Sequence, residues 1–344
     1  MTVAIITVTS VTPSWAAPSA ESIGSAKVAV TTSARAKKAL RAINAVDSSL
    51  VDNAASADRV QRGKNGSAVT HEGATTAVSA DPSDGYTLTR PSGTVGVKPR
   101  RAISTRGEQV TPAIVSFTDS GATTVPILRN DGSLQINTVI ETASAPQRYS
   151  YDLQLPTGGK ATLEGGIVII TNAAGEFLSA VAPAWAKDAQ GRSVPTHYEL
   201  DGATLTQVVE HSAAVSYPVV ADPWFGIWLF DGFRRAWHTR ERGYKYTAAL
   251  TPWGWAVYTG VATPLPAPAI GVVYGNRMVR WHGWNEWKQR MLGQSPPATM
   301  EQQYACHVVG GYNVWKAGLH WDLETWRPSK PDWLGNMVGH GCNW

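Results

Sequence analysis

Residues 320–324 read His-Trp-Asp-Leu-Glu and place three ionisable side chains at alternate positions. On a β-strand, alternate side chains point to the same face, so His320, Asp322 and Glu324 would share one face. An imidazole and two carboxylates on one face could do acid/base chemistry in a small hydrolase, or hold a metal ion. The simpler alternative is a solvated strand face, with the two apolar residues pointing to the core and Glu324 paired with Arg327.

The chain has two cysteines, Cys306 and Cys342, and each has a histidine close by, His307 and His340. Two cysteines in an exported chain predict one disulfide, and closing so long a loop would stabilise the fold by about 3–4 kcal/mol. A zinc site is the alternative. However, adjacent ligands such as Cys306 and His307 point apart on a strand, and their spacing departs from the usual zinc motifs. A cysteine nucleophile is a third reading, for which His307 would be a poor base.

No established catalytic motif is present in the sequence. The chain lacks a Gly-x-Ser-x-Gly elbow, a His-Glu-x-x-His helix and a phosphate-binding glycine loop. We therefore predict no cofactor and no metal ligand, and a non-enzymatic role is favoured over a catalytic one.

Tryptophan is concentrated near the end of the chain: 13 of the 15 Trp residues lie within residues 224–344. Trp either fills an aromatic core or presents a stacking surface to a ligand. A small disulfide-closed domain needs large side chains, so we expect most of them in the core and one or two on a binding face. The residues assigned to binding are Trp284, Trp287, Trp321, Trp326 and Arg327.

The charge balance limits the class of partner. Only 16% of residues are charged and the net charge is +4, which argues against a dedicated nucleic-acid binder. Residues 224–344 hold 12 Lys and Arg against 7 Asp and Glu, a net of +5. This basic, Trp-rich region suits a cell-wall polysaccharide or another anionic envelope surface. A mildly basic domain with no electrostatic partner is the alternative.

The N-terminal part of the sequence predicts a signal peptide and, after it, a flexible segment. Residues 1–17 are typical of a signal peptide, although no Lys or Arg precedes the apolar run, so the true start could lie upstream. Residues 18–106 are rich in small side chains and predict a flexible linker or pro-segment. Within it, residues 33–46 have helical spacing. The Arg100-Arg101 pair is either a processing site or a solvated basic pair.

Residues 107–222 predict an antiparallel β module, either a sandwich or a sheet. Short β-branched and aromatic runs recur at regular spacing and are divided by Gly, Asn and Asp turn signals. The predicted strands are Ala113–Phe117, Val125–Leu128, Leu134–Ile140, Tyr149–Leu155, Ile167–Ile170, Phe177–Val181, Tyr198–Leu200, Leu205–Val209 and Ser216–Val220.

Residues 223–344 predict a mixed α+β region. Residues 234–246 predict a short amphipathic element, and 284–291 predict a helix followed by short strands and turns up to Cys342. Residues 248–275 carry no charge and are long enough to span a bilayer, but four prolines interrupt them. We interpret them as a buried, Pro-bent segment and retain membrane contact through 248–275 as the alternative.

Four strings in the last part of the chain carry a family resemblance. They are Gly283-Trp284-Asn285-Glu286, then Gln302-Gln303-Tyr304-Ala305-Cys306-His307, then Trp321-Asp322-Leu323-Glu324-Thr325-Trp326-Arg327-Pro328, and finally Cys342-Asn343. Residues 281–344 thereby resemble the actinobacterial secreted domain-of-unknown-function family 2599. The resemblance implies a small exported domain and brings no established activity. The long 248–275 stretch departs from the family's shorter leading segment.

The end of the β module carries a second resemblance. Residues 182–189 and the segment Tyr-Pro-Val-Val-Ala-Asp-Pro at 217–223 resemble the β-rich segment that precedes varied C-terminal domains in actinobacterial secreted and toxin proteins. This resemblance implies that the β module carries the C-terminal region outside the cell.

These observations together predict a multi-domain protein. It would have a disordered N-terminal segment, an antiparallel all-β module and a small disulfide-closed α+β C-terminal domain, and it would be secreted to the cell envelope of a Gram-positive bacterium. Non-catalytic recognition of a cell-envelope component is the favoured function. The alternatives are an antibacterial or membrane-active toxin domain carried by the β module, and a small secreted hydrolase.

Overall fold

Three antiparallel sheets make up most of the computed structural model, which describes residues 33–100, 106–119, 121–260, 268–313 and 320–344. The predicted signal peptide, residue Arg101 of the basic pair and Trp315 lie outside the described residues.

The first sheet has eight strands in the order β1-β2-β3-β4-β5-β10-β16-β15. Its first five strands follow one another along the chain, and β5 then pairs with the distant β10, for example at Leu153↔Val97. The strands are β1 Val60–Gly63, β2 Gly66–His71, β3 Ala74–Ser79, β4 Tyr86–Arg90, β5 Gly93–Pro99, β10 Arg148–Gln154, β15 Thr196–Asp201 and β16 Thr204–Val209.

The prediction that residues 18–106 form a flexible, disordered segment is wrong for the described part, residues 33–100. Its small side chains alternate between buried and at least partly accessible positions along β2 to β4, as a strand with one buried face requires. These strands bury too little apolar surface to form a domain alone. They are stabilised because β10, from the later β-rich region, completes their sheet.

The second sheet has ten strands and runs β11-β12-β13-β18-β9-β8-β7-β6, with β17 pairing β9 and β14 pairing β17. Each of the predicted strands within 107–222 overlaps an observed one. The strands are β6 Glu108–Thr111, β7 Ile114–Asp119, β8 Ala122–Leu128, β9 Leu134–Ile140, β11 Lys160–Glu164, β12 Ile167–Thr171, β13 Phe177–Val181, β14 Ala186–Lys187, β17 Val219–Ala221 and β18 Trp224–Gly226.

Both faces of the second sheet are covered. One face packs on the first sheet, and the two share a single, mainly aliphatic core. The other face is covered by helix α1 (Ala34–Val46), which is capped by Ser33 and buries Ala36 and Ile43. This second cover explains why every residue of β9 is buried, although its sequence alternates like a half-exposed strand. A short helix α2 (Ser49–Asp52) follows α1.

The C-terminal region continues directly from this sheet. The boundary predicted after residue 222 precedes β18, which still pairs with β13 and β9. A third sheet follows, with the order β19-β20-β21. The remaining strands are β19 Phe230–His238, β20 Gly243–Leu250 and β21 Trp321–Glu324, and the helices are α3 Pro252–Thr259, α4 Pro268–Met278, α5 Trp284–Trp287, α6 Ala298–Asn313 and α7 Met337–His340.

Several local expectations for this region need correction. The amphipathic element at 234–246 is a β-hairpin made by β19 and β20. The helix predicted at 284–291 is interrupted: π-helical turns at Val279–Gly283 and Lys288–Leu292 flank α5. The short strands and turns expected before Cys342 are largely replaced by the sixteen-residue helix α6.

The disulfide prediction is confirmed, because Cys306 on α6 and Cys342 after α7 are bonded with a Cα–Cα distance of 5.4 Å. The bond ties the end of the described chain to the helix that packs against β21.

The uncharged segment 248–275 is largely helical where it is described. Trp253, Val257 and Tyr258 of α3 are buried in a second core that is rich in large aromatic side chains. No helix within the described ranges combines the length and the apolar character needed to cross a bilayer.

Candidate functional site

The three ionisable residues of the predicted strand site do not form an open acid/base cluster. His320 is exposed and lies just before β21. Asp322 accepts hydrogen bonds from the Thr247 hydroxyl at 2.6 Å and from Lys245 Nζ at 3.2 Å. Its carboxylate therefore joins β21 to β20.

Glu324 is also committed to the fold. Its side chain is nearly buried and pairs with Arg327, as the simpler reading of the sequence expected. Its backbone N–H donates to Gln303 Oε1 at 2.8 Å, and its carbonyl accepts from Gln303 Nε2 at 2.9 Å. With both carboxylates in salt links, the geometry gives the hydrolase hypothesis no support.

The free edge of β21 is closed by side chains from the residues that carry the family resemblance. The carbonyl of Asp322 accepts from Asn343 Nδ2 at 3.1 Å and lies 3.1 Å from His307 Nε2. Together with the hydrogen bond that Gln303 donates to the Glu324 carbonyl, these bonds take the place of a neighbouring strand. The signature residues of this segment therefore satisfy the backbone of an edge strand.

The two histidines beside the cysteines have structural partners. Burial lowers the pKa of His307 to about 4, against the opposing effect of its bond to the Asp322 carbonyl. His340 lies 2.8 Å from the Trp333 carbonyl through Nε2 and accepts the Cys342 N–H through Nδ1 at 3.1 Å. Because both thiols are consumed by the disulfide, the zinc and cysteine-nucleophile readings are wrong.

Three of the five residues assigned to binding cannot contact a ligand. Trp284, Trp287 and Trp321 are buried in the aromatic core, where they pack around Tyr304. The demand of a small core for large side chains therefore outweighs their use as stacking surfaces. Trp326 is only partly buried, and Arg327 is engaged by Glu324.

A groove of about 770 Å³ lies between α4 and α6 and is the strongest candidate site of the described chain. One wall carries Arg277, Arg280 and Trp281, and the opposite wall carries Glu301 of α6. Trp333 lines it as well. The rest of the lining is largely apolar, and an apolar and aromatic lining with a few charged groups is typical of ligand pockets.

The π-turn at Val279–Gly283 determines how the groove is lined. A π-turn adds a residue to a helical turn and so changes the direction in which its side chains point. Val279 and Gly283 remain buried, whereas Trp281 between them is 61% exposed. Gly283 is required here, because a Cβ would lie 2.3 Å from the Tyr304 hydroxyl.

Charge in the groove is only partly neutralised. Arg280 Nη2 pairs with Glu301 at 3.0 Å, and the guanidinium lies 5.6 Å from the centre of the Trp281 ring. Its other terminal nitrogen, Nη1, has no hydrogen-bond partner among the described residues but is buried away from solvent. Arg277 is exposed and forms no ion pair with any residue that the structure describes. The Arg277 guanidinium is therefore the donor group that an anionic ligand can reach.

A second cavity of about 390 Å³ adjoins the groove. Arg277 and Trp281 line both cavities and so form the ridge between them. The second cavity is closed by β11 and β12 and contains Glu164 and His282. Burial lowers the pKa of His282, so its imidazole is neutral at neutral pH.

A third cluster, formed by His71, Glu72 and Asp231, has ligand atoms close enough for a metal ion. Arg59 lies 2.8 Å from His71 Nδ1 and can only donate, so Nδ1 is the acceptor and Nε2 carries the proton. Nε2 then faces Asp231 at 3.2 Å as a donor, and Arg290 pairs with Glu72 at 2.9 Å. This arrangement fits an ion-pair network and not a metal site.

Comparison with known proteins does not assign the site. No family model, curated protein sequence or solved structure matches the chain. The candidate function therefore depends on the geometry of the groove.

The groove residues were not among the residues assigned from the sequence. Trp281 stood out only as one of many tryptophans, and Arg277 and Arg280 carried no motif. The available signal was the string Arg-x-x-Arg-Trp at 277–281, which begins two residues after the uncharged stretch ending at Gly275.

Proposed function

We propose that this is a secreted, non-catalytic protein that recognises a cell-envelope component, an anionic polysaccharide, through the groove between α4 and α6. The exposed Trp281 beside Arg277 and Arg280 is the observation that carries the proposal. The proposal that the protein is secreted also includes the resemblance of residues 281–344 to the actinobacterial secreted domain-of-unknown-function family.

The chemistry of the groove suits a sugar ring that bears a carboxylate or phosphate. An exposed indole offers a flat apolar surface to the ring, with an N–H donor at its edge. Arg277 can bind an acidic substituent with two parallel hydrogen bonds. Glu301, partly exposed across the groove, can accept hydrogen bonds from hydroxyl groups.

Export to an oxidising compartment is supported by the disulfide. A bond between Cys306 and Cys342 is maintained outside the cytosol, where reducing systems are absent. The toxin alternative is less favoured, because Trp253, Val257 and Tyr258 of the uncharged 248–275 segment are buried in the core. Its remaining support is the resemblance of the β module to that of toxin proteins.

Binding of the full chain to purified actinobacterial cell walls tests this proposal. Co-sedimentation is measured with intact walls and with walls stripped of their acidic polymers. We expect retention on intact walls and a drop of about tenfold or more in affinity for Trp281→Ala, as for a central aromatic contact. Arg277→Ala should weaken binding to intact walls and leave the residual binding to stripped walls unchanged.

Trp255→Ala is the matched control, since Trp255 is also an exposed tryptophan of this region but does not line the groove. It should bind like the unmodified chain. Retention no greater than that of an unrelated basic protein would reject envelope recognition. Retention that is equal for the Trp281 and Trp255 variants would reject the groove as its site.

A further inference from the structure

The β19–β20 hairpin carries a concentrated, exposed positive charge. Its four arginines, Arg234, Arg235, Arg240 and Arg242, are all exposed, and the Arg240 side chain is 95% accessible. The only acidic residue among them is Glu241, whose carboxylate lies 3.7 Å from Arg240. The other three arginines form no ion pair with any residue in the described ranges.

The same hairpin exposes an aromatic pair. Trp237 and Tyr244 lie opposite each other in the strand register, with ring centres 4.8 Å apart and planes at 69°. Trp237 is 53% exposed. Arg235, two residues before Trp237 and on the same face, lies over the Tyr244 ring at 4.8 Å.

The hairpin is held next to its turn by the residues that follow β21. Gly243 lies against Trp326 and Thr325, where a Cβ would come within 2.9 Å of the Trp326 ring. The backbone of Tyr244 exchanges two hydrogen bonds with Thr325, at 2.9 and 3.0 Å. A bulge after Asp231 bends β19 at the other end. The basic and aromatic side chains therefore project from a fixed ribbon, which reduces the entropy lost when they bind.

We propose that this hairpin docks the protein on the surface of a membrane that contains anionic phospholipid. Arginine side chains near such a surface are attracted by its negative potential and bind lipid phosphates. Trp and Tyr side chains prefer the headgroup level, because one end of each ring system is apolar and the other is polar. The hairpin supplies both on one projecting ribbon.

The packing of the aromatic pair favours lipid over a glycan or a nucleic acid. Those ligands bind by stacking a flat ring on an open aromatic face. Here Tyr244 is covered by Arg235 and meets Trp237 at a steep angle, so ring surface needed for stacking is already in use. The proposed membrane contact lies on the hairpin and is separate from the 248–275 segment. It is also independent of the groove.

Flotation with vesicles tests the proposal on the full chain. Vesicles of phosphatidylcholine alone are compared with vesicles that also contain phosphatidylglycerol. We expect binding only to the anionic vesicles, a loss of about fivefold for each arginine removed, and further loss at high salt. Trp237→Ala should weaken binding at every salt concentration.

The matched control is a triple variant of equal charge. The hairpin variant replaces Arg235, Arg240 and Arg242 by alanine. The α1 variant replaces three exposed cations of that helix by alanine, namely Lys37, Lys38 and Arg41. Each variant lowers the net charge by the same amount. The hairpin variant should detach from the vesicles and the α1 variant should not. Circular dichroism of both variants checks that the fold is intact.

Three results would overturn the proposal. One is equal loss of vesicle binding in both triple variants, which would indicate a non-specific effect of net charge. Another is the absence of binding to the anionic vesicles. The third is hairpin-dependent binding to a soluble polyphosphate without binding to vesicles, which would assign the surface to a polymer. Trp281→Ala should leave vesicle binding unchanged, because the groove is not part of the hairpin surface. Failure of the groove proposal can therefore be distinguished from failure of the membrane proposal.

Discussion

The first and second sheets pack face to face as a sandwich, and the core of this sandwich differs from the core of the C-terminal region. The sandwich buries many medium-sized side chains such as Val97, Ile136 and Leu205 between two large sheets. The C-terminal region buries fewer but larger ones, including Trp253, Trp287 and Trp321, and adds a disulfide. Because large sheets provide many pairing partners, the sandwich needs no single dominant contact. The C-terminal region has only three strands in its sheet and depends on a few aromatic contacts.

The seam between the two regions, defined by Arg90, Trp228, Glu286 and Arg290, is charged. Both guanidiniums lie over the Trp228 ring, Arg90 at 4.1 Å and Arg290 at 4.6 Å. Glu286 is buried and accepts the N–H groups of Leu229 and Phe230. Such buried polar contacts require all their partners at once, so they fix how the regions meet more strictly than apolar contact does.

Truncating Trp287 should have the largest effect on stability. Trp287 packs edge-to-face against Phe230 and Phe233, with ring centres 5.7 and 5.0 Å away. Trp287→Ala should cost about 3–5 kcal/mol, because the cavity cannot be filled by its stiff aromatic neighbours. In the sandwich, Ile136→Val should cost only about 0.5–1.5 kcal/mol. Urea unfolding measures both, and near-equal losses would contradict a core that depends on few contacts.

Removing the disulfide should have the next largest effect. Cys306→Ser with Cys342→Ser should lower the free energy of unfolding by about 3–4 kcal/mol, because the unfolded chain gains freedom over a separation of 36 residues. Hydrogen exchange should show the loss mainly in α6 and in α7, because the bond joins α6 to the residue that follows α7 closely. Equal loss of protection in β2 to β4 would mean that the sandwich also depends on the bond.

Much of the sandwich could be predicted from the sequence, and little of the groove could. Runs such as Leu134–Ile140 contain their own β signal, so the strands were found. Strands β1 to β5 were missed because their small side chains become stable only when β10 joins them. The groove requires a π-turn and the approach of two helices, and neither leaves a periodic pattern around Trp281.

A smaller loss is expected when the seam is changed at Glu286. Both of its carboxylate oxygens accept a backbone N–H, at 2.9 Å from Leu229 and 3.0 Å from Phe230. Glu286→Gln must turn an NH2 group toward one of these donors, which leaves a buried N–H without an acceptor and costs about 1–3 kcal/mol. Denaturant unfolding measures this cost.

The control for the seam is Glu199→Gln, which breaks the exposed pair with Arg148. Exposed ion pairs contribute little, so this variant should unfold like the unmodified chain. An equally small effect for the Glu286 variant would show that the seam is not a fixed joint between the two regions.

The smallest predicted effect is an acid-dependent one that is shared by the two regions. Burial opposes ionisation of Asp188 in the sandwich, but Arg192 and nearby backbone N–H groups outweigh it and lower the pKa to about 2. In the C-terminal region, the hydrogen bond from His71 lowers the pKa of Asp231 to about 2. Both values lie below the unfolded value of 3.8. Each carboxylate therefore adds stability that is complete above pH 3.8 and is lost as the pH falls through about 2.

Unfolding free energies measured at several pH values between about 5 and 2 would assign this loss to the two regions. Asp188→Asn should flatten the acid limb for the sandwich, because its bonds to Arg192 then no longer depend on a titrating group. Asp231→Asn should do the same for the C-terminal region and by a smaller amount, because its side chain is more exposed. If both variants retained the full slope, carboxylates other than Asp188 and Asp231 would be responsible for the acid-dependent loss.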